Sequence, residues 1–125
     1  MIDFKNKDVF KLAPVDNSVF SPMINPLLIN NENIINTFKS MRDGIVFTNY
    51  RIITINVQGV TGKKKDFSSL PYSKIQAYSV ETAGILDLDS ELELWFSGLG
   101  KVKFEFTCNG NIVQVCKIIS NYVLK

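Results

Sequence analysis

The sequence contains no histidine, and this absence excludes more kinds of catalytic and metal site than any other feature of its composition. Histidine is the commonest general base, a member of the usual serine and cysteine triads and a ligand in most zinc sites. Without it, the chain shows no recognisable pair of nucleophile and base. We therefore expect a protein that is not an enzyme and that carries neither a metal nor a cofactor.

Cysteine, net charge and long apolar runs are also scarce. The chain has two cysteines and a formal net charge of +2 at pH 7. Two cysteines make no disulfide framework at this size, and no stretch approaches the roughly 18 apolar residues of a membrane span. The first residues mix charges and lack the apolar run of a signal peptide. We expect a cytoplasmic protein, and the weak net charge gives no argument for nucleic acid as a partner.

Short alternating segments fill most of the chain from Ile34 onwards, and turn residues separate them. This pattern is typical of an all-β sheet or barrel, and the short connections predict antiparallel pairing. The predicted strands are 34–39, 44–48, 51–57, 63–69, 75–82, the acidic segment around 87–94, and 101–107. A helix is predicted for 111–123, where five apolar residues recur at the helical period: Ile112, Val115, Cys116, Ile119 and Val123.

Residues 1–26 differ from the rest of the chain because they contain three of the four prolines. Scattered apolar residues lie between these prolines. We expect an N-terminal extension with one or two short helical turns that pack on the body of the protein or on a neighbouring subunit. The main domain would then comprise residues 27–125.

Acidic residues alternate with leucines in the segment that ends at Leu94. The acids are Asp87, Asp89, Glu91 and Glu93. A period of two predicts a half-buried strand, on which successive carboxylates lie roughly 7 Å apart. That spacing is too long for three of them to meet on one calcium ion, whose ligands lie at about 2.4 Å. The stripe is therefore either a solvated face paired with Lys101 and Lys103 of the next strand or a contact with another subunit.

Trp95 is predicted to share the face of the acidic stripe, away from the leucines. Aromatic residues are enriched at protein interfaces. An outer face that carries both tryptophan and carboxylates therefore favours the contact over a fully solvated surface, although Trp95 stacked on Lys101 would also fit.

Six ordered motifs carry a family resemblance. They are Arg42-Asp43, Phe47-Thr48-Asn49-Tyr50-Arg51, Gln58-Gly59-Val60-Thr61-Gly62-Lys63-Lys64, Pro71-Tyr72, Ser79-Val80-Glu81-Thr82-Ala83-Gly84 and Asp87-Leu88-Asp89-Ser90-Glu91-Leu92. Over roughly residues 27–124, the sequence resembles the bacterial pleckstrin-homology-like domain family. The resemblance implies a mainly β fold, a seven-stranded antiparallel bent barrel or orthogonal sandwich capped by a C-terminal α-helix. It also implies cyclic, ring-like homo-oligomers, with pentamers as the form of single-domain members.

We therefore predict a module that forms a homo-oligomeric ring and binds a protein or peptide partner through a polar surface where strands of adjacent protomers meet. The residues predicted for this surface are Arg42, Asp43, Thr48, Asn49, Arg51, Glu81, Thr82, Asp87, Asp89, Glu91 and Trp95. Their positions in the family motifs and their polar character are the basis of the prediction.

An alternative function is the binding of anionic lipid headgroups or phosphates through basic loops. Its candidate residues are Lys39, Arg42, Lys63, Lys64 and Lys65. The segment around Gly59 and Gly62 lacks the glycine spacing and the Ser/Thr of a nucleotide phosphate loop. Three consecutive lysines could nevertheless receive an anionic partner.

Overall fold

The computed structural model describes residues 1–4, 9–86, 88–107 and 111–125, without the side chains of residues 9 and 10. Eight strands and two α-helices are assigned in these ranges. The strands are β1 (Val9–Val15), β2 (Ile34–Ser40), β3 (Asp43–Thr48), β4 (Arg51–Gln58), β5 (Lys64–Pro71), β6 (Ile75–Glu81), β7 (Ser90–Phe96) and β8 (Gly100–Phe106). The helices are α1 (Ser21–Ile24) and α2 (Ile112–Val123), and short 3-10 turns flank α1 and precede β6.

All eight strands belong to one sheet with the order β5-β4-β3-β2-β1-β8-β7-β6. Neighbouring strands are antiparallel except for β1 and β8, which are parallel. The sheet is open, with β5 and β6 as its two edges. The prediction of seven antiparallel strands was therefore wrong in the strand count, in the direction of one pair and in barrel closure, whereas the mainly β fold with a C-terminal helix is confirmed.

The additional strand is β1, which lies in the segment predicted to form only helical turns. Its pairing with β8 shifts register between Val9 and Leu12, and Lys11 between them has a φ of 61°. Such an irregularity breaks the period of two by which a strand is recognised in a sequence. Pro14, opposite Phe38 on β2, also argues against a central strand.

The main core lies between the sheet and α2. The helix begins after Asn111, whose side chain accepts a hydrogen bond of 3.1 Å from the backbone of Gln114. Its buried face consists of Ile112, Val115, Ile118 and Ile119, which confirms the predicted amphipathic helix. Tyr122 on the same helix stacks on Tyr72 with 5.3 Å between ring centroids, so the end of α2 is held against the turn that links β5 to β6.

A second, smaller core lies where the N-terminal segment covers β3 and β4. Phe20 and Ile24 pack there with Val46, Ile53 and Ile55. Each fully buried side chain of this size contributes about 1.5–3 kcal/mol relative to its exposed state. The helical turns after β1 are therefore packed on the body of the same chain.

The acidic segment does not form a strand along its whole length. Strand β7 begins at Ser90, and the preceding Leu86 and Leu88 are 99% and 55% exposed. Their predicted burial was wrong because the neighbouring strands do not extend that far. Strand β6 ends at Glu81, which pairs with Glu91, and β8 ends at Phe106, which pairs with Ser90. Leu86 and Leu88 therefore have no paired strand on either side.

Candidate interaction surface

The outward face of β7 carries Glu91, Glu93 and Trp95, as the alternation predicted. These side chains are half-buried, while Leu92 and Leu94 between them are fully buried. The predicted Asp87 lies outside the described residues. The face is therefore shorter than the sequence pattern indicates, and its regular part begins at Glu91.

Two lysines of β8 form ion pairs with two carboxylates of this face. Lys101 Nζ lies 3.0 Å from Glu93 Oε2, and Lys103 Nζ lies 3.4 Å from Glu91 Oε1. In the strand register Lys103 is opposite Glu93 and Lys101 is opposite Trp95, so both ion pairs are diagonal. Exposed pairs of this kind contribute up to about 1 kcal/mol each.

A third lysine, from β1, compensates Asp89. Lys11 Nζ is 2.9 Å from Asp89 Oδ2 and 3.8 Å from Glu105 Oε1. The hydrogen bond from Lys11 lowers the pKa of Asp89, whereas burial and the hydrogen bond with Asp89 raise the pKa of Glu105. The sequence could not indicate this partner, because β1 was not predicted as a strand. The described acids of the stripe thus have cationic partners within the chain.

Arg51 forms the centre of a buried polar network with Glu32. Its Nε donates to Glu32 Oε2 and its Nη2 donates to Glu32 Oε1, both at 2.9 Å. The hydroxyl of Thr48 donates to Glu32 Oε2 at 2.7 Å, and the backbone amide of Ile29 donates to Oε1 at 3.0 Å. Four hydrogen bonds therefore hold a carboxylate whose side chain has no exposed surface.

Asn49 extends the network along the same loop. Its Oδ1 accepts from the backbone amide of Asn33 at 2.8 Å, and its Nδ2 donates to the carbonyl of Asn31 at 2.9 Å. Thr48, Asn49 and Arg51 thus anchor the segment that enters β2. These three residues, which were predicted for a partner surface, form hydrogen bonds within the chain, and Asn49 and Arg51 remain partly exposed.

The ionisation of Glu32 follows from its partners. Burial raises its pKa, but the hydrogen bonds from Arg51, Ile29 and Thr48 and the positive charge of Arg51 outweigh burial, so the pKa lies below its ordinary value. Glu32 stays charged, as a buried carboxylate with this many donors should. It was missed in the sequence because it lies within an asparagine-rich turn, where an acidic residue is ordinarily solvated.

Arg42 and Asp43 connect two neighbouring hairpin turns. Arg42 Nη2 donates to the carbonyl of Gly59, and Asp43 Oδ1 accepts from the backbone amide of Val57 at 2.9 Å. Lys39 Nζ donates to the carbonyl of Met41 within the first turn. Arg42 therefore fixes the β2–β3 turn against the β4–β5 turn, while Asp43 binds near the end of β4; both turns lie at the same end of the sheet.

This end of the sheet is basic and carries exposed apolar side chains. Met41 at the tip of the first turn is 90% exposed, and Val60 at the tip of the second is fully exposed. Lys63, Lys64 and Lys65 follow Val60 at the start of the edge strand β5 and are exposed. Their neighbours on β4 are uncharged, since Lys64 is opposite Gln58 and Lys65 is opposite Val57.

Glu81 ends the other edge strand, β6, and Thr82 follows it; both are exposed. Glu81 lies directly opposite Glu91 on β7. Like charges in this position repel each other, and Glu91 is already paired with Lys103. In the described part of the chain, Glu81 has no cationic partner within ion-pair distance.

Two shallow grooves border β6. One, of about 470 Å³, lies between β6 and α2, and its walls include Val80, Val113 and Cys116. The other, of about 430 Å³, lies at the start of β6, where its walls include Phe96 and Leu99. Both are mostly apolar, so they are suited to side chains and not to a metal. Within the described ranges, no group of three or more acidic or cysteine side chains is arranged to hold a metal ion.

Comparisons with known proteins agree with this architecture. A solved structure from Shewanella loihica, a DUF1696 family protein with a pleckstrin-homology domain, superposes with a TM-score of 0.80 at 38% identity, over 90% of this chain and 97% of that one. A pleckstrin homology domain from Shewanella amazonensis gives a TM-score of 0.69 at 39% identity, over 90% and 92%. The fold is thus that of a PH-like domain with a C-terminal helix.

The family follows from the sequence of the whole chain. The bacterial PH domain family matches residues 3–123, which includes the N-terminal segment. The chain is also 45% identical over 96 residues to the uncharacterized protein YjqA of Bacillus subtilis. The aligned region covers 75% of this chain and 77% of the relative. The chain belongs to the bacterial PH domain family. No helix in the described part of it is long and apolar enough to cross a membrane.

Proposed function

We propose that this protein is a non-enzymatic PH-like module that assembles into a homo-oligomeric ring and presents a polar surface to a protein or peptide partner. The observation that carries the proposal is the open sheet, whose edges are two different strands, β5 and β6. An edge strand exposes a row of backbone donors and acceptors that can pair with another chain.

The two edges favour a ring over a symmetric dimer. Strand β5 begins with Lys64 and Lys65 and ends at Pro71. The exposed lysines at the start of β5 and the exposed Glu81 at the end of β6 make these two edges complementary in charge. A contact between two different edges is heterologous, and heterologous contacts produce closed rings when the rotation closes.

The chemistry of the described residues supports a binding role over catalysis. The chain has no histidine, and its most buried carboxylate, Glu32, is held by four hydrogen bonds. A general base needs a free acceptor beside its substrate. Glu32 has a lowered pKa and stabilises the fold instead.

Size-exclusion chromatography with light scattering tests the proposal. At tens of micromolar, the wild-type protein should elute as one species whose mass is a small multiple of the 14.1 kDa chain. A purely monomeric mass over this concentration range would refute assembly. Affinity capture on the assembled protein as bait, with a monomeric variant as control, then tests whether a partner requires the ring.

A second candidate function is binding to anionic lipid headgroups at the basic end of the sheet. The observation that favours it is the combination of exposed Met41 and Val60 with Lys63, Lys64 and Lys65. Apolar tips flanked by lysines suit a negatively charged membrane surface, to which each lysine contributes about 1 kcal/mol. Vesicles with and without phosphatidylserine at low salt test this function. Failure to sediment with the anionic vesicles would exclude it.

A further inference from the structure

We propose that the groove between β6 and α2 binds a short extended segment of another protein, in which an apolar side chain lies two positions from a carboxylate. The inference rests on the proposed binding of a peptide partner, and it names the site and the chemistry of that partner. The groove has a volume of about 470 Å³, and its apolar walls are Val80, Val113 and Cys116.

A hydrogen bond between β6 and α2 holds the two sides of the groove together. The hydroxyl groups of Tyr78 on β6 and Ser120 on α2 lie 2.8 Å apart. Tyr78 and Val80 pack against the main core, so the groove lies on the face of the sheet that α2 covers. Glu81 belongs to the opposite face, because successive residues of a strand alternate between faces. A groove that is already formed binds a ligand without the entropy cost of ordering its own walls.

The length of the groove corresponds to a short extended peptide. On α2 the groove is lined by Val113, Lys117 and Asn121, which follow one another at intervals of four residues on one side of the helix. At a rise of about 1.5 Å per residue, the first and last of them are about 12 Å apart along the helix axis. An extended chain advances about 3.3 Å per residue, so roughly four residues span the groove.

The wall that α2 contributes changes from apolar to polar along the helix. Val113 lies near the start of α2 and is 58% exposed. One turn further along, Lys117 is exposed, and no carboxylate in the described residues lies within ion-pair distance of it. An apolar wall beside an unpaired ammonium group matches a ligand that carries an apolar side chain and a carboxylate.

The spacing of Val113 and Lys117 determines the pattern of the ligand. Four residues along a helix correspond to about 6 Å. Alternate residues of an extended chain are about 6.6 Å apart and point to the same side. An apolar side chain beside Val113 therefore places the residue two positions along the peptide beside Lys117, where a carboxylate forms an ion pair with the ammonium group.

Fluorescence anisotropy of a labelled synthetic peptide, Ser-Leu-Ser-Glu-Ser with blocked ends, tests the site in the full-length protein. We expect a dissociation constant on the order of 100 μM, because the site is small. Glutamine in place of the glutamate, or serine in place of the leucine, should weaken binding about fivefold or more. The variant K117E should weaken binding of the original peptide about tenfold or more, and it should prefer a peptide with lysine in place of the glutamate. The matched control is K125E, which makes the same charge change at the exposed end of the chain.

Cys116 reports where the peptide binds, because its half-buried side chain lines the groove. The measurement is the rate at which N-ethylmaleimide modifies Cys116 in a variant that carries Cys108→Ser. Peptide at about three times its dissociation constant leaves a quarter of the sites free and should slow modification about fourfold. Decanoate, a fatty acid with the same combination of apolar chain and carboxylate, is tested in parallel.

The outcomes separate the groove from the assembly. Equal binding of the glutamate and glutamine peptides, or binding that leaves Cys116 unprotected, would overturn the inference. Protection of Cys116 by decanoate without protection by the peptide would also overturn it, since the groove would then bind an acyl chain. A wild-type protein that assembles but binds no peptide refutes the groove and leaves the ring standing. A monomeric protein that binds the peptide in the groove refutes the ring and supports the site. Circular dichroism of each variant verifies that the fold is intact.

Discussion

Replacement of Arg51 by methionine is the perturbation with the largest effect that the structure allows us to work out. Arg51 Nε and Nη2 donate two hydrogen bonds of 2.9 Å to the carboxylate of Glu32, which has no exposed side-chain surface. Methionine retains much of the apolar stem and removes the charge. The Arg51→Met variant keeps only the Thr48 hydroxyl and the Ile29 amide as donors to a buried negative charge.

The magnitude follows from the burial of the pair. Breaking a buried ion pair by removing one partner costs about 3–5 kcal/mol. The side chain of Arg51 retains 22% exposure, so water can reach part of the site and we expect about 3 kcal/mol. In a domain of this size, such a loss lowers the melting temperature by roughly 12 °C. It is also a large share of the 5–15 kcal/mol that stabilises a typical domain.

Urea unfolding monitored by Trp95 fluorescence measures this change. The matched control is Lys101→Met, which removes a lysine from the exposed pair with Glu93 and should cost less than about 1 kcal/mol. The double variant Arg51→Met/Glu32→Leu removes both charges and should be more stable than Arg51→Met alone. A free energy of unfolding for Arg51→Met within 1 kcal/mol of wild type would refute the account of the network.

Two further predictions concern stability. Gly44→Ala should destabilise the protein by about 2 kcal/mol or more in thermal unfolding, because a Cβ there would lie 2.3 Å from Phe20 Cε2 and 2.7 Å from the carbonyl of Phe38; an unchanged melting temperature would contradict this packing. The pKa of Glu32 is lowered in the folded state, so its contribution is present above pH 4.5 and is lost as the pH falls through the folded pKa. Between pH 6 and pH 3, Glu32→Gln should therefore lose less stability than wild type, and equal losses would show that Glu32 does not carry the acid sensitivity.

The sequence predicted most of the regular elements well. Strands β2 to β6 and β8 agree with the predicted segments to within about two residues, and so does α2. In these elements the apolar period is clear, since residues such as Ile53 and Ile55 or Phe104 and Phe106 alternate with polar neighbours. Local pattern and tertiary burial agree in β8, whereas β4 is also buried on its second face, where Thr54 is fully buried.

The prediction failed where tertiary context overrides the local pattern. Leu86 and Leu88 alternate with acids as a strand would, yet no neighbouring strand extends alongside them. Conversely, β1 is central in the sheet, although Pro14 and the left-handed backbone of Lys11 are atypical of a central strand. Whether a strand forms depends on a partner that the segment itself does not contain.

The contacts of the polar residues also depend on parts of the chain that the local sequence does not contain. The ion pair of Lys11 with Asp89 joins residues 78 positions apart in the chain, and that of Arg51 with Glu32 joins residues 19 positions apart. Residue type and motif position selected Arg51, Thr48 and Asn49, but only the fold assigns them to internal contacts. By contrast, Lys64, Lys65 and Glu81 remain exposed at the two edges of the sheet.

The most direct test of the central claim is the mass of the wild-type protein in solution. Sedimentation equilibrium between 5 and 100 μM, on the order of the concentrations at which modest interfaces assemble, reports this mass without assuming a shape. A ring predicts one discrete multiple of 14.1 kDa, about 70 kDa for a pentamer. A mass of 14.1 kDa across the whole range would contradict the account, and a mass that rises continuously with concentration would indicate an open filament instead of a closed ring.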